Sequence, residues 1–230
     1  MFKEADFAFR QAFAFCPFSP EAVSRYAYLL AGAGRLDDAE RIAETALRFD
    51  RDNPYIQGLL NQIKAARQSQ GQFTQAQQKL GQLELQFKTN PGDARIAFEL
   101  SSLYLQLQQT NAGFHVLDQL INSPQADTTV LLSVAGAYAQ LQQGARLEAV
   151  LQRLVKMTPE NPEAWYDLAT TQAQLGKTNE ALQSLGKALD LSGKRLAKQP
   201  KAPDLRRNAA TNQSFASLHN RPEFQQLVAQ

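Results

Sequence analysis

The stretch NPEAWYDLATTQAQLGKTNEALQSLGKALDLS, residues 161–192, decides the fold of this 230-residue chain. Its residues divide at Gly176 into two amphipathic segments. Trp165, Leu168 and Leu175 give the first segment its bulk, while Ala181 and Ala188 leave holes on the second, so the two can pack face to face. Gly176 permits the tight turn between them, because it has no Cβ to clash. The rest of the chain has the same character. Ala, Leu, Gln, Glu and Lys, all good helix formers, dominate it. Alternating runs of Val, Ile and Thr are missing, and Pro and Gly fall at spaced intervals, as punctuation between helices.

Residues 161–192 resemble one unit of the tetratricopeptide repeat, a pair of helices in about 34 residues. Trp165, Leu168, Ala169, Leu175, Gly176, Ala181, Leu185 and Ala188 occupy the matching positions. Gln172 stands where the family prefers Tyr, and Gly193 where it prefers Pro. A shift of about 34 residues carries Trp165 to Leu131 and Ala97, and Leu175 to Leu141 and Leu107. The same shift pairs Tyr138 with Tyr104, and Leu154 with Leu120. Gly113 and Leu147 stand where Ala181 does, so packing there must differ. The resemblance implies an all-α fold: an α-solenoid of stacked antiparallel hairpins in a right-handed superhelix, with a helical C-terminal cap.

Repeats are expected at 20–53, 94–127, 128–161 and 162–193. The 54–93 unit is too long for the period. Its excess is placed in an extended turn at residues 67–72, or alternatively in a longer first helix. Leu59, Leu60, Ile63, Phe73, Leu80 and Leu83 give this glutamine-rich stretch a helical apolar face. Residues 194–230 read as the cap, with Phe215, Leu218, Phe224 and Leu227 covering the last apolar face.

The opening, residues 1–19, matches a second helix: Phe9, Ala12 and Phe13 fall where Leu185, Ala188 and Leu189 do. No front helix precedes it in the sequence, so the chain is expected to be part of something longer. Phe2, Phe9 and Phe13 are then expected to offer an uncovered apolar face for self-association into a homo-oligomer. The segment from Phe9 to Asp50 also resembles tetratricopeptide tails on large bacterial membrane proteins of glycosyltransferase type. That implies the alternative role of a structural or oligomerising segment.

Chemistry is thin. The 24 basic and 22 acidic side chains nearly cancel, which gives no argument for nucleic acid or a membrane surface. The basic run Lys194, Arg195, Lys198, Lys201, Arg206 and Arg207 has no aromatic interleaved, and reads as solvated cap. No apolar run approaches a membrane span, and charges interrupt the opening as a signal peptide. Cys16, alone, forms no internal disulfide and leaves the compartment open. His115 and His219 have no Cys or His at ligand spacing, so neither a metal nor another cofactor is expected. Ser184 and Lys187 make a Ser-x-x-Lys string inside a second helix, where both read as solvent-side. The chain is expected to be no enzyme.

What remains is a surface. In this family the first helix of each pair lines a concave groove. Carried over position by position, the resemblance places Ser24 and Tyr28 there, then Arg95, Phe98, Ser102 and Leu105. Leu132, Gly136 and Ala139 follow, and then Tyr166, Thr170 and Ala173. One class of the family clamps a partner's C-terminal carboxylate with Lys and Asn. Here Phe98, Ser102, Leu132, Gly136, Tyr166 and Thr170 hold those places, so the implied partner is an apolar helix or extended peptide. For Leu105 and Leu132 packing between repeats is the alternative.

Overall fold

The computed structural model describes residues 2–229, which form α-helices and one 3-10 turn with no strand among them. The chain divides into two compact units, Met1–Gly81 and Gln82–Gln230. In the first lie α1 (Phe2–Phe15), α2 (Pro20–Gly32), α3 (Leu36–Phe49) and most of α4 (Pro54–Thr89). The second holds the end of α4, then α5 (Ala94–Gln106), α6 (Thr110–Asn122), α7 (Thr128–Gln140) and α8 (Gly144–Met157). It continues through α9 (Pro162–Gln174), α10 (Thr178–Lys198), α11 (Leu205–Thr211), a 3-10 turn (Gln213–Phe215) and α12 (Pro222–Ala229). The fold is an α-solenoid built from antiparallel hairpins: α2 with α3, α5 with α6, α7 with α8 and α9 with α10.

Each first helix starts from the same local chemistry. Ser19, Asp93, Asp127 and Asn161 precede α2, α5, α7 and α9, and each side chain accepts from a backbone N–H of the first turn. That satisfies one of the amides a helix start leaves free. Packing then joins large to small. In the first unit, Val23, Tyr26 and Leu30 of α2 are buried with Ala39, Ala43 and Ala46 of α3. At α5 and α6 the approach is closer still: a Cβ on Gly113 would stand 3.0 Å from the Ser101 carbonyl oxygen.

The region 54–93 differs from its expected hairpin. No turn interrupts residues 67–72; α4 runs unbroken for 36 residues. Its first part buries Ile56, Leu59, Leu60 and Ile63 in the first unit's core, and Leu83 and Phe87 are buried near its end. Between residues 64 and 79 every side chain but the half-buried Ala76 is exposed. Gln, Ala, Lys and Arg favour helix there without packing, and Gly71 costs only about 1 kcal/mol against Ala. Helix α10 also overruns its unit, passing Gly193 to end at Lys198 before Pro200.

The hairpin turns share a backbone conformation. Gly34 and Gly176 adopt φ of 76° and 74°, while Gln108 and Gln142, two and one periods before Gly176, adopt 60° and 55°. A side chain in the left-handed region is strained, so a glycine there relieves part of that cost. Gln142→Gly should raise stability by about 0.5–1 kcal/mol, after the entropy glycine adds to the unfolded chain. Urea unfolding reads this as a higher midpoint at unchanged slope, and a lower midpoint would refute it.

Candidate interaction surfaces

A carboxylate recurs wherever a second helix meets the next repeat. Asp6 of α1 accepts from the Tyr26 hydroxyl at 3.2 Å and pairs with Arg35 at 3.3 Å. Asp118 of α6 accepts from Tyr138 at 2.7 Å and pairs with Arg146, whose guanidinium also lies 5.1 Å from the centre of the Phe114 ring. Glu148 of α8, itself buried, accepts from Gln172 at 3.4 Å and from Lys177 at 2.6 Å. In the first unit Glu40 of α3 pairs with Arg67 at 2.5 Å. Glu84, near the end of α4, accepts from the Tyr104 hydroxyl. Gln172, the departure from the family's tyrosine, thus fills the tyrosine's bonding role. It also accepts from Ser184 at 2.7 Å. Ser184 is therefore buried, not solvent-side, because this partner lies inside the hairpin.

The residues expected in the groove divide by exposure. Tyr28 and Leu132 are each 55% exposed, and Arg95, Ser102, Gly136 and Ala139 are open to solvent. Phe98, Leu105 and Thr170 are half-buried. Ser24 and Ala173 are buried, Ser24 in the wall of a cavity it shares with Tyr28. Tyr166 is covered by the chain itself: Asn212 donates to its hydroxyl at 3.1 Å, and Phe215 packs edge-on with ring centres 5.5 Å apart. Beneath this cover, Leu205, Ala209, Phe215, Leu218 and Phe224 join Ala169, Ala173 and Leu185 in one core. The residue missed by the sequence reading is Tyr55, 55% exposed and sharing a cavity rim with Tyr28, Glu21 and Arg25. Its place straight after Asn53-Pro54, on the outer first turn of α4, was the available signal.

At the N-terminal end, α1 carries no fully buried side chain. Phe9 and Phe13 are half-buried against Tyr26, Phe9 stacking on it with ring centres 6.3 Å apart. Phe2 is exposed, as are Phe7 and Phe15, at 65% and 81%. Much of the basic run near the cap is paired: Lys194 with Asp190, Arg195 with Glu163 and Arg207 with Asp204. Among the described residues no three His, Cys, Asp or Glu side chains gather as a metal site would need. Among them, too, no helix is long and apolar enough to cross a membrane.

Two family profiles, both described as tetratricopeptide repeat, match residues 1–63 and 135–211 and together span more than half of the chain. The chain is a tetratricopeptide-repeat protein. Such proteins are protein–protein interaction scaffolds and generally not catalysts. No curated protein sequence matches this one. Among solved structures, YrrB, described as a TPR protein with an unusual peptide-binding site, aligns over 96% of this chain and 88% of its own, with 15% identity and a TM-score of 0.39. A MamA crystal structure aligns over 85% of this chain and 91% of its own, with 13% identity and a TM-score of 0.35. A fragment of MamA from Desulfovibrio magneticus RS-1 aligns over 76% of this chain and 96% of its own, with 16% identity and a TM-score of 0.35.

The tyrosines at the repeat junctions carry a measurable signature. Burial pushes Tyr138 up to about 12. Burial, then the hydrogen bond to the Glu84 carboxylate, does the same to Tyr104, also to about 12. Since the ordinary value is 10.0, both phenols bind their proton more tightly folded than unfolded. Their contribution to stability is complete below about pH 10 and lost as pH rises through about 12. An alkaline absorbance titration should therefore show three of the six tyrosines ionising late: Tyr104, Tyr138 and Tyr166, which burial also raises. All six ionising together near pH 10, with helicity intact, would contradict it.

Proposed function

We propose that the chain is a non-enzymatic scaffold whose first-helix surfaces bind a peptide or helical segment of a partner protein. The observation that carries this reading is Leu132, a large apolar side chain left 55% exposed on α7 beside Gly136 and Ala139. The small neighbours let a partner's backbone approach closely, and Leu132 with Phe98 of α5 supplies apolar anchors. In the first unit Tyr28 and Tyr55 do the same around a cavity of about 470 Å³. Lacking Lys and Asn at the clamp positions, these surfaces suit apolar side chains along a segment rather than a terminal carboxylate.

Selection from a displayed peptide library tests the idea. Peptides enriched on the wild-type chain should lose about ten-fold or more in affinity on Leu132→Asp and on Phe98→Ala, the loss expected of a central anchor. Far-UV circular dichroism should be unchanged. Undiminished binding by both variants would sink the assignment.

A second reading has its own observation, Phe7 and Phe15, both exposed on one side of α1 while Phe9 and Phe13 face Tyr26. We infer that this aromatic face pairs two copies of the chain, since an uncovered apolar patch tends to recruit a partner. Sedimentation velocity should show a concentration-dependent dimer that Phe7→Asp weakens. A strict monomer at the highest attainable concentration would exclude it.

A further inference from the structure

The second unit contains a cavity of about 680 Å³, lined by Glu84, Phe87, Tyr104, Ala112, Val116 and Gln119 among others. Its composition is explained by the junction one repeat later. There α6 is tied to α8 by two arginines. Arg146 bonds the Asp118 carboxylate, and Arg153 donates to the backbone carbonyls of Ile121 and Ser123, at the end of α6. A shift of one 34-residue period turns Asp118 into Glu84, Tyr138 into Tyr104, and Ile121 into Phe87. The acceptors are thus retained. The donors are not: Arg146 becomes Ala112 and Arg153 becomes Gln119, and both replacements line the cavity. Other repeats send their cation from the residue after the left-handed turn, as Arg35 and Lys177 do, but here that residue is Gln109. The cavity lies where the next repeat keeps its own arginines.

We propose that this cavity receives an arginine side chain of a partner peptide. Glu84, held in place by the Tyr104 hydroxyl, is the acceptor for the guanidinium. The carbonyl end of α4 favours positive charge, as a helix C-terminus does. Phe87, Leu100 and Val116 offer an apolar wall for the arginine stem, which buries its methylenes as readily as its head forms ionic bonds. Two carboxylates, Glu84 and Asp118, line the cavity against the one ammonium of Lys88, and Asp118 is already matched by Arg146. His115, on the same lining, is engaged with Gln119 at 3.0 Å. The site is made by α4, α5 and α6 away from Leu132 and its neighbours, so it stands whether or not the first-helix surface binds peptide.

The experiment uses a labelled peptide with one central arginine flanked by leucines, and its citrulline and lysine counterparts, in fluorescence anisotropy with the full chain. The arginine peptide should bind saturably. Citrulline, isosteric and neutral, should bind at least about ten-fold more weakly, as should the arginine peptide on Glu84→Gln. Ala112→Arg returns the chain's own guanidinium to the site; it should abolish binding while raising the melting midpoint, so the loss is not one of folding. Equal binding of arginine and citrulline peptides overturns the proposal, as does unaltered binding by Ala112→Arg or Glu84→Gln. Absence of saturable binding up to roughly millimolar peptide overturns it as well. A lysine peptide that binds as tightly as arginine would overturn the assignment to a guanidinium.

Discussion

Apolar packing brings these hairpins together, but it is non-directional and would tolerate sliding of one helix along the next. The carboxylate at each repeat junction removes that freedom. Asp6, Asp118 and Glu148 each receive a hydrogen bond from the following first helix and a cation from the following turn or second helix. Such a group is satisfied in one register only, and a buried carboxylate deprived of its partner is costly, by about 3–5 kcal/mol where measured. The device explains why α1, with no fully buried side chain, still holds a defined place: Asp6 bonds Tyr26 and Arg35 while Phe9 and Phe13 lie against the Tyr26 ring.

The C-terminal cap acts on the interaction surface as well as on stability. By laying Phe215 and Asn212 on Tyr166, it covers an aromatic of α9 and leaves α7 with the most exposed large apolar side chain among α5, α7 and α9. A repeat array needs something to close its last apolar face. Here the closure reaches far enough along α9 to decide which repeats remain open.

The parts of the fold legible in the sequence are those fixed by local chemistry. The left-handed turn at Gly176, the large-to-small complementarity of Leu185 and Ala188 with the first helix, and the recurrence of Tyr104 at Tyr138 are carried by neighbouring residues or by the period. Three features escaped because their causes lie elsewhere in the chain or in small energy differences. A turn and a helix at residues 67–72 differ by little more than what Gly71 costs, so periodicity could not choose between them. Ser184 looks like a surface residue until Gln172, twelve positions away, is brought beside it. Tyr166 fits the groove pattern of its own repeat, and only Asn212, 46 residues later, shows that it is covered.

The unbroken middle of α4 bears on cooperativity. Side chains from 64 to 79 make almost no buried contact, and a helical segment of that length without packing is only marginally stable in water. Nearest-neighbour coupling is what lets a repeat array unfold as one body. At the start of this stretch Lys64 and Arg67 pair with Asp37, Glu40 and Glu44 of α3, but the stretch itself adds almost no buried apolar surface to either core. Each unit has a buried core of its own, and if the two unfold at different denaturant concentrations a single free energy for the whole chain averages two quantities.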